Sequence, residues 1–111
     1  MRTWVYNPHT GGKKAPPAVQ ERIRGRILKY AAKKYAGKYD RIDVRFRGAL
    51  CYVDAYVEGS PYPLHLVRLR YNGKEDFMSV AFYTYSHEKY EPTFFAGTPE
   101  EAFDLGGIYL Q

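Results

Sequence analysis

Arg41-Ile42-Asp43-Val44-Arg45-Phe46-Arg47-Gly48-Ala49-Leu50-Cys51-Tyr52-Val53-Asp54-Ala55-Tyr56 is the stretch that decides the fold. Ile42, Val44 and Phe46 alternate with Asp43, Arg45 and Arg47, which is the period of a half-buried strand. Gly48-Ala49 suits a two-residue hairpin turn with glycine at the first central position. That turn sets a register in which Arg47 opposes Leu50, Arg45 opposes Tyr52, Val44 opposes Val53 and Asp43 opposes Asp54. Two carboxylates directly opposite one another repel. Three readings stand. Arg45, with Arg68 or Arg70, neutralises the pair. The acids share a cation or a proton and do acid–base work. Or the turn is longer and the register differs.

Downstream, the alternation predicts strands over 50–58, 64–71 and 77–86, with a short fifth at 93–96. Gly59-Ser60-Pro61-Tyr62-Pro63 reads as a loop, because proline cannot continue a central ladder. Asn72-Gly73 is a strong hairpin signal. Thr98-Pro99-Glu100-Glu101 combines an N-cap, a first-turn proline and a capping-box glutamate. The helix it opens stops at Gly106-Gly107, and Ile108-Tyr109-Leu110 docks on the core or joins the sheet.

Upstream, Pro16-Pro17 starts a helix over about 17–36 that ends before Gly37. Val19, Ile23, Ile27, Tyr30 and Ala31 form its apolar stripe. Arg22, Arg26, Lys29 and Lys33 run along a neighbouring face. Residues 2–6 read as a short strand, and 7–15 as a polar loop. Its Gly11-Gly12-Lys13-Lys14 lacks the spacing of a nucleotide-binding loop, and Pro16 and Pro17 remove amides that would face an anion. The fold predicted for residues 1–111 is a single α+β domain. An antiparallel β-meander of four to five strands packs on one long N-terminal helix, with a short C-terminal helix.

The alternation gives the sheet two faces. Ile42, Val44, Phe46, Cys51, Val53, Ala55, Val57, Val67, Leu69, Met78, Val80 and Phe82 meet the helix stripe, and His65 falls on this side by the same count. Asp43, Arg45, Arg47, Tyr52, Asp54, Tyr56, Arg68, Arg70, Tyr83 and Tyr85 take the other. Interleaved arginine and tyrosine suit base stacking together with phosphate contact, and equally a protein interface. The plainer alternative is that the arginines stack on the tyrosines within the face and cover it.

The 111 residues include 12 Tyr, 6 Phe and 1 Trp, so rings supply much of the buried surface. Net charge is +5. Residues 1–48 hold 13 Lys and Arg against 3 Asp and Glu, whereas 49–111 hold 4 against 9. Either the basic half faces an anionic partner, or the two halves neutralise each other in the folded domain. The lone Cys51 excludes an internal disulfide, and it falls on the core side, where cysteine behaves as a small hydrophobe. His9, His65 and His87 lack metal-ligand spacing, so no metal or cofactor is expected. His87-Glu88, near Tyr83 and Tyr85, adds a third member to a polar site with Asp43 and Asp54. No membrane span or secretory leader is read, and a reducing, cytoplasmic setting is expected.

The leading functional expectation is a non-enzymatic binding module for nucleic acid or another anionic partner. Its contacts are Arg22, Arg26, Lys29 and Lys33 on the helix, and Arg45, Arg47, Tyr52, Tyr56, Arg68, Arg70, Tyr83 and Tyr85 on the sheet. One alternative is a protein-interaction or homodimer module using the tyrosine-rich face or an edge strand. The other is a small-molecule binder or enzyme with Asp43, Asp54, Arg45, Arg68 and Tyr83 around a pocket, which requires a concave sheet.

The strings WVYNPHTGGKKAPPAVQERIR, RIDVRFRG, AFYTYSHEKYEP and GTPEEAF resemble a group of short bacterial proteins, and the resemblance extends over nearly the whole chain. The resemblance implies a small bacterial protein of the kind borne on mobile elements. It transfers no activity, cofactor or catalytic residue.

Overall fold

The turn at Gly48-Ala49 forms as the alternation predicts. In the computed structural model, which describes residues 12–111, Gly48 takes φ 60°, a left-handed conformation that costs glycine nothing. Strands β1 (Arg41–Arg47) and β2 (Leu50–Tyr56) pair in the predicted register, including Asp43 opposite Asp54. β3 (Leu64–Arg70), β4 (Met78–Thr84) and β5 (Lys89–Gly97) complete one antiparallel meander in the order β1-β2-β3-β4-β5. The predicted strand at 2–6, His9 and the start of the glycine-rich loop lie outside the described residues.

Helix α1 (Pro17–Lys34) carries proline in its first turn and Lys33 and Lys34 in its last. Its Ile23, Ile27 and Ala31 are fully buried against Val44, Cys51, Val53, Val67, Leu69 and Val80 of the sheet. Burying each isoleucine contributes about 1.5–3 kcal/mol. Helix α2 (Pro99–Gly106) has the predicted capping box: Thr98 accepts from the Glu101 amide, and the Glu101 carboxylate accepts from the Thr98 amide. The chain closes in a 3-10 turn, Gly107–Leu110, whose Leu110 docks on the core rather than joining the sheet.

Three local features qualify the sequence reading. β3 and β4 pair as the hairpin that Asn72-Gly73 signals, through a connection that runs from Tyr71 to Phe77 and is tied back by the Tyr71 amide to the Ala49 carbonyl. β5 is much longer than residues 93–96. It pairs with β4 through a turn at 85–88 in which Glu88 takes φ 54°. Its ladder skips at Thr93–Phe95, which lets Pro92 sit at an irregularity of an edge strand.

The third feature decides where the functional side chains go. Between β2 and β3 the register shifts, so that Val53 faces Val67 but Asp54 faces His65. Leu66 is the extra residue of a β-bulge, and Leu66 and Val67 are both fully buried. An extra residue inverts the alternation beyond it. His65 therefore leaves the core face, where strict alternation puts it, and joins the opposite face beside Asp54. α2 sits directly on the bulge: a Cβ at Gly106 would lie 2.7 Å from the Leu66 Cβ and 2.8 Å from its carbonyl carbon.

Candidate functional site

The helix cations are the first candidates, and most are spoken for. Arg26 reaches Glu75 at 3.0 Å, Asp76 at 2.7 Å and Glu100 through two parallel hydrogen bonds of 2.9 and 2.7 Å. The Glu100 pairing, opposed by burial and reinforced by Asp76 and Glu75, raises the Arg26 pKa further. Arg22 also holds Glu75, at 2.9 Å, so the β3–β4 connection is stapled to α1. Arg24 bonds Glu21 and the Val44 carbonyl. Lys34 binds Asp104, which also accepts from the hydroxyls of Tyr30 and Tyr35. Lys29 and Lys33 border a shallow hollow of about 310 Å³ with Arg26, Tyr30 and Glu100. The acidic C-terminal half thus neutralises much of the helix internally.

The open face of the sheet is different. Asp54 is buried, with 3% of its surface exposed, and its carboxylate has two partners: Arg45 Nη2 at 2.8 Å and His65 Nδ1 at 2.9 Å. Arg45 also meets Asp43 at 3.1 Å, so it bridges the opposed acids. Burial works against the charge on Arg45, but the Asp54 carboxylate outweighs it and raises the pKa. Of the three readings of the Asp43–Asp54 pair, the arginine bridge is the one observed, supplied by Arg45. No group of three His, Cys, Asp or Glu side chains among the described residues converges to hold a metal.

Around this carboxylate stands a ring cluster. His65 packs on Tyr83 and Tyr90 with centroids 4.7 and 6.1 Å apart, and Tyr90 packs edge-on against Tyr52 and Tyr83. The Arg45 guanidinium lies over Tyr52 and that of Arg68 over Tyr90. The Tyr85 hydroxyl accepts from the His65 amide at 2.6 Å, one of the amides next to the bulge, and so fixes the backbone of His65. Arg45, Phe46, Arg47, Tyr52, His65 and Tyr90 line an open hollow of about 560 Å³, within the roughly 300–1,000 Å³ of small-molecule sites. Two donors at this cluster, Arg68 Nη2 and the Tyr90 hydroxyl, are buried without a hydrogen-bond partner among the described residues. Burial, with the nearby Asp54 charge, pushes the Tyr90 pKa up, so its hydroxyl stays a protonated donor.

The sheet residues singled out in the sequence therefore divide. Arg45, Tyr52, Asp54, Arg68 and Tyr83 come together, Asp43 joins them through Arg45, and Arg47 borders the hollow. Tyr56 lies at the far end of β2 under the Arg41 guanidinium, 4.1 Å from its ring centre. Arg70 is buried opposite Ser79 and Leu50. His87 pairs with Glu91 at the β4–β5 turn and does not join Asp43 and Asp54. Cys51 is fully buried and its thiol is pushed up to about 12 by burial, so it is inert as a nucleophile. Sequence reasoning missed Tyr90 and misplaced His65. Tyr90 alternates with Lys89 and Glu91 before Pro92, a pattern that marks a strand once the proline is allowed on an edge. Comparison of the chain with protein-family models, with curated proteins and with solved structures finds no match.

Proposed function

We propose that the protein binds single-stranded nucleic acid on the open face of its sheet, in the hollow bordered by Arg45, Arg47, Tyr52, His65 and Tyr90. The observation that carries this reading is the open hollow itself, which the cations Arg45 and Arg47 and the rings of Tyr52, His65 and Tyr90 line together. Guanidinium groups donate to phosphate oxygens, and the ring faces that border the hollow supply stacking for bases. The net charge of +5 adds long-range attraction. The main contact surface is the sheet, where the rings gather; on α1 the carboxylates of Glu75, Asp76, Glu100 and Asp104 already hold Arg22, Arg26 and Lys34.

The test is a fluorescence-anisotropy titration of a labelled single strand, with duplex of the same sequence as comparison, at low and at physiological salt. The single strand binds more tightly than the duplex. With Arg47 engaged and Arg45 held by Asp43 and Asp54, log affinity falls with log salt at a slope of about −0.7. Absence of binding at low salt refutes the proposal.

A further inference from the structure

We infer that the strand bound there is RNA and that His65 cleaves it, acting as general base on a ribose 2′-hydroxyl. This inference rests on the binding reading above and extends it to a reaction.

The argument starts from the two nitrogens of one ring. Nδ1 of His65 is 2.9 Å from Oδ1 of Asp54, a buried carboxylate whose other oxygen is held by Arg45. A carboxylate in that position fixes the Nδ1–H tautomer of the neutral imidazole and leaves the Nε2 lone pair as the basic site. His65 borders the hollow and keeps 35% of its side chain exposed, so a ligand there reaches the ring. The backbone is fixed as well, by the Tyr85 hydroxyl on the His65 amide and by the bulge itself.

The step balances with the groups named. Nε2 takes the proton of the 2′-hydroxyl, and the 2′-oxygen pair forms a bond to the adjacent phosphorus. The bond from phosphorus to the 5′-oxygen breaks, and the departing oxygen takes a proton from water. The products are a 2′,3′-cyclic phosphate and a 5′-hydroxyl end. Arg47, exposed and bordering the same hollow as His65, is the cation available to the charge gathering on the phosphoryl oxygens. Asp54 is a positioning residue, since it acts through His65. The groups facing the imidazole are Asp54 from β2, Arg45 from β1 through that carboxylate, Tyr83 from β4, Tyr90 from β5, and the Tyr85 hydroxyl at its backbone.

The experiment uses the full chain and two labelled strands of one sequence, all-ribose and all-deoxyribose, with chelator present and binding followed separately from cleavage. Both strands bind, and only the ribose strand is cut, leaving cyclic phosphate ends. His65→Gln, which retains a donor for Asp54 but is not a base, loses cleavage by about 10²-fold or more at saturating RNA, far beyond any change in its affinity. Asp54→Asn slows cleavage in a preparation that still binds RNA, and Asp54→Glu recovers part of the rate; equal rates in the two variants would assign Asp54 a purely structural role. RNA that binds but stays intact overturns the inference and leaves the binding reading standing. Cleavage undiminished in His65→Gln also overturns it. Failure of both strands to bind removes the binding reading and the inference with it.

Discussion

Asp54 stands across the β2–β3 ladder from His65, not from Leu66, and this one-residue slip places a buried carboxylate and an accessible imidazole on the same face. The slip is enforced from the other side of the sheet. Leu66 and Val67 are both buried, and α2 rests on Leu66 through the absent side chain of Gly106. Packing under the sheet therefore sets the chemistry above it.

Gly106→Ala tests that coupling. The added methyl meets Leu66 backbone as well as side chain, so neither neighbour relieves the contact cheaply. The expected loss is about 1–3 kcal/mol in urea unfolding. The His65 ring resonances shift in the same variant, because α2 presses on the bulge next to that residue. Unchanged stability would show that α2 does not clamp the bulge.

Tyr90→Phe separates fold from function. The hydroxyl is buried without a partner, so its removal leaves stability unchanged or slightly raised. Nucleic-acid affinity is retained, because the hydroxyl is enclosed and only the ring borders the hollow. Tyr90→Ala, which removes the ring, lowers affinity by about tenfold, within the roughly 1–3 kcal/mol of one stacked base. Thermal unfolding and anisotropy titration of the same preparations check both halves. Tyr90→Ala with unaltered affinity would take the ring out of the interface.

Much of the fold is legible in the sequence because local chemistry dictates it. Pro16-Pro17, the Gly48-Ala49 turn and the Thr98–Glu101 capping box each act within a few residues. The alternation from Ile42 to Ala55 fixes the register of two strands. What is not legible depends on partners far along the chain. The bulge at Leu66 lies against a helix some forty residues later, whose Gly106 packs on the Leu66 side chain and backbone. The helix cations look free in sequence, since their carboxylates lie in the C-terminal half. Interleaved Arg and Tyr correctly mark the sheet face, but nothing in that pattern reveals that Arg45 bridges Asp43 and Asp54, or that Tyr90 returns from β5 to stack with Tyr52.

Glu100→Gln tests the ion-pair network joining α1 and α2. It breaks a two-bond contact with Arg26 in which both side chains are about 29% exposed, and the expected cost is about 1–3 kcal/mol. The Arg26 contact lowers the Glu100 pKa. For Asp104, burial raises the pKa, but hydrogen bonds from Tyr30, Lys34 and Tyr35 outweigh it and lower it. A depressed folded-state pKa contributes stability above the ordinary carboxylate range of about 4, and that contribution is lost as pH falls through the lowered value. Unfolding midpoints are thus flat from neutrality to about pH 5 and fall below about pH 4. Glu100→Gln shows a shallower fall. An acid-insensitive wild type would contradict the assignment.

Arg47→Ala and Arg22→Ala distinguish the two basic surfaces. Arg47 is exposed beside the hollow, whereas Arg22 is paired with Glu75. Removing Arg47 weakens single-strand binding and reduces the salt slope by about 0.7, the share of one phosphate contact. Removing Arg22 leaves affinity and slope unchanged. The reverse pattern would move the interface to α1.

The most direct test is a chemical-shift map of the protein titrated with a short single-stranded RNA. The account predicts that perturbations gather on Arg45, Arg47, Tyr52, His65, Arg68 and Tyr90, with α1 from Arg22 to Lys33 nearly silent. Perturbations confined to α1, or none at saturating RNA, would contradict it.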